Sequence, residues 1–253
     1  MKSMFLISKA TFLELVREKL FIVIIFISIF LILLSIGLGN LSLFEYQRIL
    51  ADLGLATIEI SSLGLALFSG SYIIHKEIEK QTCLLLLAKP ISRAQFLIGK
   101  FFGLVFLMLL NLVFLMLLLN LFFMNAEYFF NSVMILVNIF MKVTVVFSLV
   151  LFLSVIIRPV LSLLFGLSFY LYGHWINNVD YFVKMMKDPT ITQYYKVLEF
   201  VSPQFYRMNW KSIYYLKQSI PVQEFIFMIG YFSLWIFLFL SLGVRKFNKK
   251  DIT

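Results

Sequence analysis

An all-α membrane protein with about six transmembrane helices is the fold this sequence predicts. Three observations predict it. Of the 253 residues, 62% are hydrophobic and only 14% charged, whereas soluble domains carry about 25% charged residues. The apolar residues gather into six stretches long enough to cross a bilayer. The Lys and Arg residues gather on one side of those stretches. A chain this apolar cannot cover itself with polar surface, so lipid is its expected solvent.

Spanning takes roughly 20 apolar residues. The segment 3–19 precedes the first span. In it Leu6, Leu13, Val16 and Leu20 fall near helical spacing, and Lys9, Glu14, Arg17 and Glu18 point elsewhere. That pattern predicts a short amphipathic helix at the cytoplasmic interface; an ordinary charged flank is the alternative. The spans follow at 20–39, 53–74, 101–126, 133–157, 159–179 and 225–244. Glu59 alone interrupts the second and Lys142 alone the fourth. Arg158-Pro159 makes a tight turn, with Pro159 suited to a helix start. A charged loop covers 75–100, and a longer outer loop covers 180–224. The outer loop alternates aromatics with charges and is punctuated by Pro189, Pro203 and Pro221, which suits the membrane interface. The chain reads as a single transmembrane domain over 1–253, with no soluble domain and no internal repeat. Charges run to Lys19 before the first span, without a small-x-small exit site, so the chain is expected to be retained whole.

Charge sets the orientation. With the N-terminus inside, fourteen Lys and Arg residues face the cytoplasm and seven face out. The cytoplasmic face then carries the whole +9 of the chain, since Glu59 and Lys142 cancel within the membrane. This matches the positive-inside rule and puts both termini in the cytoplasm. Six outer basic residues share the one long loop, but the first helix and the short loops dominate orientation. The basic excess thus marks a membrane topology, and nucleic acid is not an expected partner.

Several chemistries have no carrier here. The lone Cys83 and the distant His75 and His174 offer no metal cluster. No G-x-x-x-x-G-K-[ST], H-E-x-x-H, G-x-S-x-G or C-x-x-C motif occurs. One intramembrane carboxylate, Glu59, supplies no acid–base pair. No catalytic residue and no bound cofactor or metal is predicted.

The loop after span two is the most informative segment. Charged residues from His75 to Lys80 lead into an apolar run too short to span. Pro90 ends that run and Ser92 is placed to cap the next helix. This describes a short interfacial helix with one face offered to the cytosol, which suits docking by a soluble partner; a plain connecting loop is the alternative. The segment resembles the cytoplasmic loop of ABC-2 type transporter permeases. The matching positions are Glu77, Glu79, Thr82, Leu85, Leu86, Pro90, Ser92, Arg93, Gly99 and Lys100, with Gln81 where the family commonly has Gly. The resemblance extends over nearly the whole chain. It takes in Thr11–Lys19, Tyr172-Gly173-His174, Ser202-Pro203 and the basic end from Arg245 to Ile252.

The resemblance implies a membrane half-transporter in the plasma membrane (the bacterial inner membrane). It implies a second permease chain, identical or different, and two separate ATPase subunits that hold ATP and magnesium. Members are mostly exporters. Glu77, Glu79, Thr82, Leu86, Pro90, Ser92 and Arg93 would then form the coupling helix on which the ATPases push. A non-catalytic anchoring or assembly protein is the alternative. A lipid-modifying enzyme fits less well, since it needs clustered acids, histidines or a nucleophile that the sequence does not supply.

The buried charges carry a separate expectation. Glu59 precedes His75, and Lys142 precedes Arg158, by the same number of residues. At about 1.5 Å per residue both stand about 24 Å above the cytoplasmic boundary. Intramembrane charges find each other or water, so Glu59 and Lys142 are expected to pair or to share one polar pocket. Such a pair either gates the outer end of a path or simply joins two helices; snorkelling of Lys142 is a third reading. Ser62, Ala66 and Gly70 recur every four residues and form a small-residue packing face on span two. Asn111, Asn120 and Asn138 are placed either to bond across helices or to line a polar path.

Overall fold

The computed structural model describes residues 2–42, 45–79, 92–123, 127–186, 188–211 and 222–249. Among these the chain is helical, with no strand. In chain order the helices are α1 (Lys2–Val16), α2 (Lys19–Leu41), α3 (Tyr46–Tyr72), α4 (His75–Glu79), α5 (Arg93–Phe123), α6 (Glu127–Ile156), α7 (Pro159–Met186), α8 (Pro189–Val201) and α9 (Val222–Asn248). A 3-10 turn, Phe205–Met208, follows α8. Among the described residues, six helices are long and apolar enough to cross a membrane: α2, α3, α5, α6, α7 and α9.

The helices are longer than hydropathy alone indicates. α3 begins at Tyr46, not Leu53. Its first turns carry Arg48 between Glu45 and Asp52, at 3.4 and 3.9 Å, so local charge pairs support polar turns that add no hydropathy. α5 begins at Arg93, inside the segment 75–100 that reads as loop. The Ser92 hydroxyl accepts from Gln95 N at 3.2 Å, and Gln95 Oε1 accepts from Ser92 N at 3.2 Å. This reciprocal cap satisfies two backbone donors at the helix start. The outer loop 180–224 is also largely helical where it is described. Asp188 accepts from Thr190 N at 2.8 Å and Pro189 stands in the first turn of α8, the favoured arrangement for a helix start.

α3 and α6 lie at the centre, each in contact with the other and with α5 and α7. α2 rests mainly on α3, and α9 on α6 and α5. The exposed faces of α2 and α9 are apolar, from Phe26 and Phe30 to Phe227 and Phe237, as expected where lipid is the solvent. Close approach of α3 to α6 uses Gly70. A Cβ there would stand 2.9 Å from Phe147 Cδ2, so only glycine admits the ring without a shift.

α1 packs along the start of α5 rather than standing apart from the bundle. Its Ile7, Thr11 and Leu15 are buried while Phe5, Leu6 and Leu13 are exposed. Gly99 and Gly103 of α5 form a small-xxx-small face that admits α1; a Cβ at Gly103 would lie 2.7 Å from Thr11 Cβ and 2.8 Å from the Ser8 carbonyl.

Candidate functional site

Two charged groupings stand out, one in the middle of the bundle and one at the end that holds the termini. The first is built on Glu59. It is the middle residue of α3, and Lys142 stands at the midpoint of α6. Both are buried. Lys142 Nζ donates to Glu59 Oε1 at 2.6 Å. Tyr170 of α7 donates its hydroxyl to the same oxygen at 2.8 Å. His174 lies one turn further along α7, with Nε2 3.7 Å from that oxygen. Its Nδ1 lies 3.2 Å from the Tyr170 carbonyl. Nε2 is thus the ring nitrogen turned toward Glu59.

A third charged partner comes from outside the spans. Lys211 Nζ lies 2.5 Å from Glu59 Oε2. Two ammonium groups therefore share one carboxylate, and Glu59 and Lys142 do not simply cancel. Lys211 arrives on a segment that enters among the helices. Phe205 is fully buried against Phe169, Tyr170, His174 and Phe232. It lies on Gly173, where no Cβ would fit. Trp210 is buried beside Phe225, and Tyr231 of α9 donates to the Ser202 carbonyl at 2.8 Å. The Tyr170–His174 spacing, four apart on one helix face, was a signal that could have drawn α7 into the site. Nothing local to Lys211 marks it.

The second grouping surrounds the charged loop. Lys76 meets Glu14 and Glu18 at 2.7 Å each, bridging the turn between α1 and α2. Lys100 of α5 is nearly buried and meets Glu77 at 2.5 Å and Glu14 at 3.7 Å. His75 and Glu79 face each other across one turn at 3.0 Å. Burial raises the Glu14 carboxyl pKa, but Lys76 and Lys100 outweigh it and hold the group below its ordinary value. Arg93 Nη1 donates to the carbonyls of Phe247 and Asn248 at 3.1 and 3.4 Å. It meets carbonyls left open at a helix C-terminus. Both flanks of the loop are thus tied to α1, α5 and the end of α9. Of the residues assigned to coupling, Glu77, Glu79, Ser92 and Arg93 fall here; Thr82, Leu86 and Pro90 lie outside the described residues.

The small residues of α3 divide between two neighbours. Asn111 of α5 donates Nδ2 to Ser61 and Ser62 at 3.3 and 3.2 Å. Ala66 is buried, and Gly70 meets Phe147. Ser132 donates to Asn120 Oδ1 at 2.9 Å, joining α5 to α6.

Six long apolar helices around a buried charge cluster define a polytopic α-helical membrane protein. The sequence matches, over residues 5–252, the model of a family described as ABC-2 family transporter protein, and the chain belongs to that family. It is a membrane permease of the transporter type. No curated protein matches the sequence.

Proposed function

We propose that the chain is the membrane subunit of an ATP-driven ABC-2 exporter. It pairs with a second permease chain around the path and couples to separate ATPase subunits that hold ATP and magnesium. Both termini and the loop between α4 and α5 face the cytoplasm of a bacterial inner membrane. The ATPases press on that loop, and α3 and α5 move in response.

The observation that carries this reading is the bracing of the loop's flanks. Glu77 and Lys100 join its two ends, Lys76 grips the α1–α2 turn, and Arg93 holds the end of α9. A push on the loop is therefore delivered to four helices at once rather than absorbed locally. Glu59 ties α3, one of the helices that would move, to Lys142 of α6, and the Lys211 segment closes over the pair as a gate.

Co-purification tests the reading. The chain, solubilised in mild detergent, should retain an ATPase subunit carrying G-x-x-x-x-G-K-[ST], and Arg93→Ala should weaken that retention. If the intact chain retains none, an anchoring or assembly role takes its place.

A further inference from the structure

Electroneutrality singles out the middle of the bundle. Lys142 and Lys211 present two ammonium groups to opposite oxygens of one buried carboxylate. Among the described residues, Glu45 and Asp52 hold Arg48, Glu199 holds Arg207, Glu14, Glu18 and Glu77 hold Lys76 and Lys100, and Glu79 faces His75. An unbalanced charge away from water is costly. The geometry leaves a route for its relief. Lys142 is enclosed, but the Lys211 and His174 side chains are 26% and 28% exposed. The Tyr170 hydroxyl, bonded to Glu59 Oε1 at 2.8 Å, adds a further polar group.

We propose that Lys142 and Lys211 form an anion receptor, which takes the phosphate or carboxylate of a negatively charged ligand as the second counter-ion beside Glu59. Glu59 is the resident anion, held on both lysines until the ligand arrives. An incoming acidic group competes for Lys211, the more exposed lysine. Once Lys211 turns to the ligand, the Ser202–Lys211 segment loses its ionic tie to α3. Ligand capture and release of this segment are then one event. Anion binding here stands apart from the proposed transport function; that the bound anion is what the chain transports would rest on that function.

Binding tests it without any ATPase. The full chain in detergent is offered phosphatidylglycerol or phosphatidylcholine, and retained lipid is measured per chain. In parallel its unfolding temperature is measured in inorganic phosphate against chloride at equal ionic strength. Wild type is expected to prefer phosphatidylglycerol or to be stabilised by phosphate. The first response assigns a lipid headgroup as the source and the second a dissolved anion. Lys211→Gln keeps the Glu59–Lys142 pair and should weaken the response about tenfold or more, the scale of a lost charge-assisted hydrogen bond. Lys196→Gln removes the same charge from an exposed face of α8 and should leave the response unchanged. Glu59→Gln, where it folds, should tighten it. Absence of both responses, or equal weakening by Lys196→Gln and Lys211→Gln, overturns the proposal.

Discussion

Lys211 Nζ stands 2.5 Å from Glu59 Oε2, while Lys142 holds the other oxygen at 2.6 Å. One carboxylate at the centre of α3 thus fastens both a neighbouring helix and a segment that returns from outside the six spans.

The two lysines differ in what their loss leaves behind. Glu59→Gln strands two ammonium groups, and breaking a buried pair costs about 3–5 kcal/mol. Lys211→Gln leaves the inner pair intact and removes a partly exposed contact, worth about 1 kcal/mol. Thermal unfolding in detergent should show a much larger fall for Glu59→Gln. Equal falls would mean that the carboxylate does not organise the cluster.

Parts of this cluster were legible in the sequence and parts were not. Glu59 and Lys142 each interrupt an apolar span, and counting residues to the nearest boundary charge placed them at one depth. Lys211 carries no such mark. Hydropathy reports what crosses a membrane, and a polar, aromatic segment that dips among helices looks the same as one lying at the interface. The start of α5 was legible, since Ser92 is placed to cap it, whereas the start of α3 at Tyr46 was not, because its support is local, in the Arg48 ion pairs. Pro189 suits loop punctuation and a helix start equally, and the Asp188 cap decides for the start of α8.

Gly70 tests the packing of α3 on α6. Gly70→Val places carbons where the Phe147 ring already lies, 2.9 Å from the position of a Cβ. Overpacking of this kind costs about 1–3 kcal/mol. Gly230 has nothing within 4 Å of its would-be Cβ, so Gly230→Ala should leave the unfolding temperature unchanged. A tolerated Gly70→Val would contradict the close approach.

Gly103 does the same for α1. Gly103→Leu should prise α1 from α5 and speed trypsin cleavage after Lys9, which is exposed on the outer side of α1. Unchanged cleavage would mean that α1 does not depend on the glycine face.

Acid should loosen the same contact. Glu14 is held below the ordinary carboxylate value of 4.5 despite burial, because Lys76 and Lys100 favour its charged form. A depressed carboxylate stabilises the fold above its unfolded pKa, and that contribution is lost as pH falls through the folded pKa. Wild type should therefore lose stability below about pH 4.5 more steeply than Glu14→Gln, which has no such proton to bind. Parallel pH profiles of unfolding temperature would show that Glu14 contributes nothing.

If the loop between α4 and α5 transmits ATPase work to the bundle, ATP turnover in liposomes should depend on it. The partner ATPase is measured alone, with the intact chain, and with a chain carrying Glu79→Ala, Pro90→Ala and Arg93→Ala. The intact chain should stimulate turnover and the variant, reconstituted in equal amount, should not. Equal stimulation by the variant, or none by the intact chain, would mean that the loop carries no coupling.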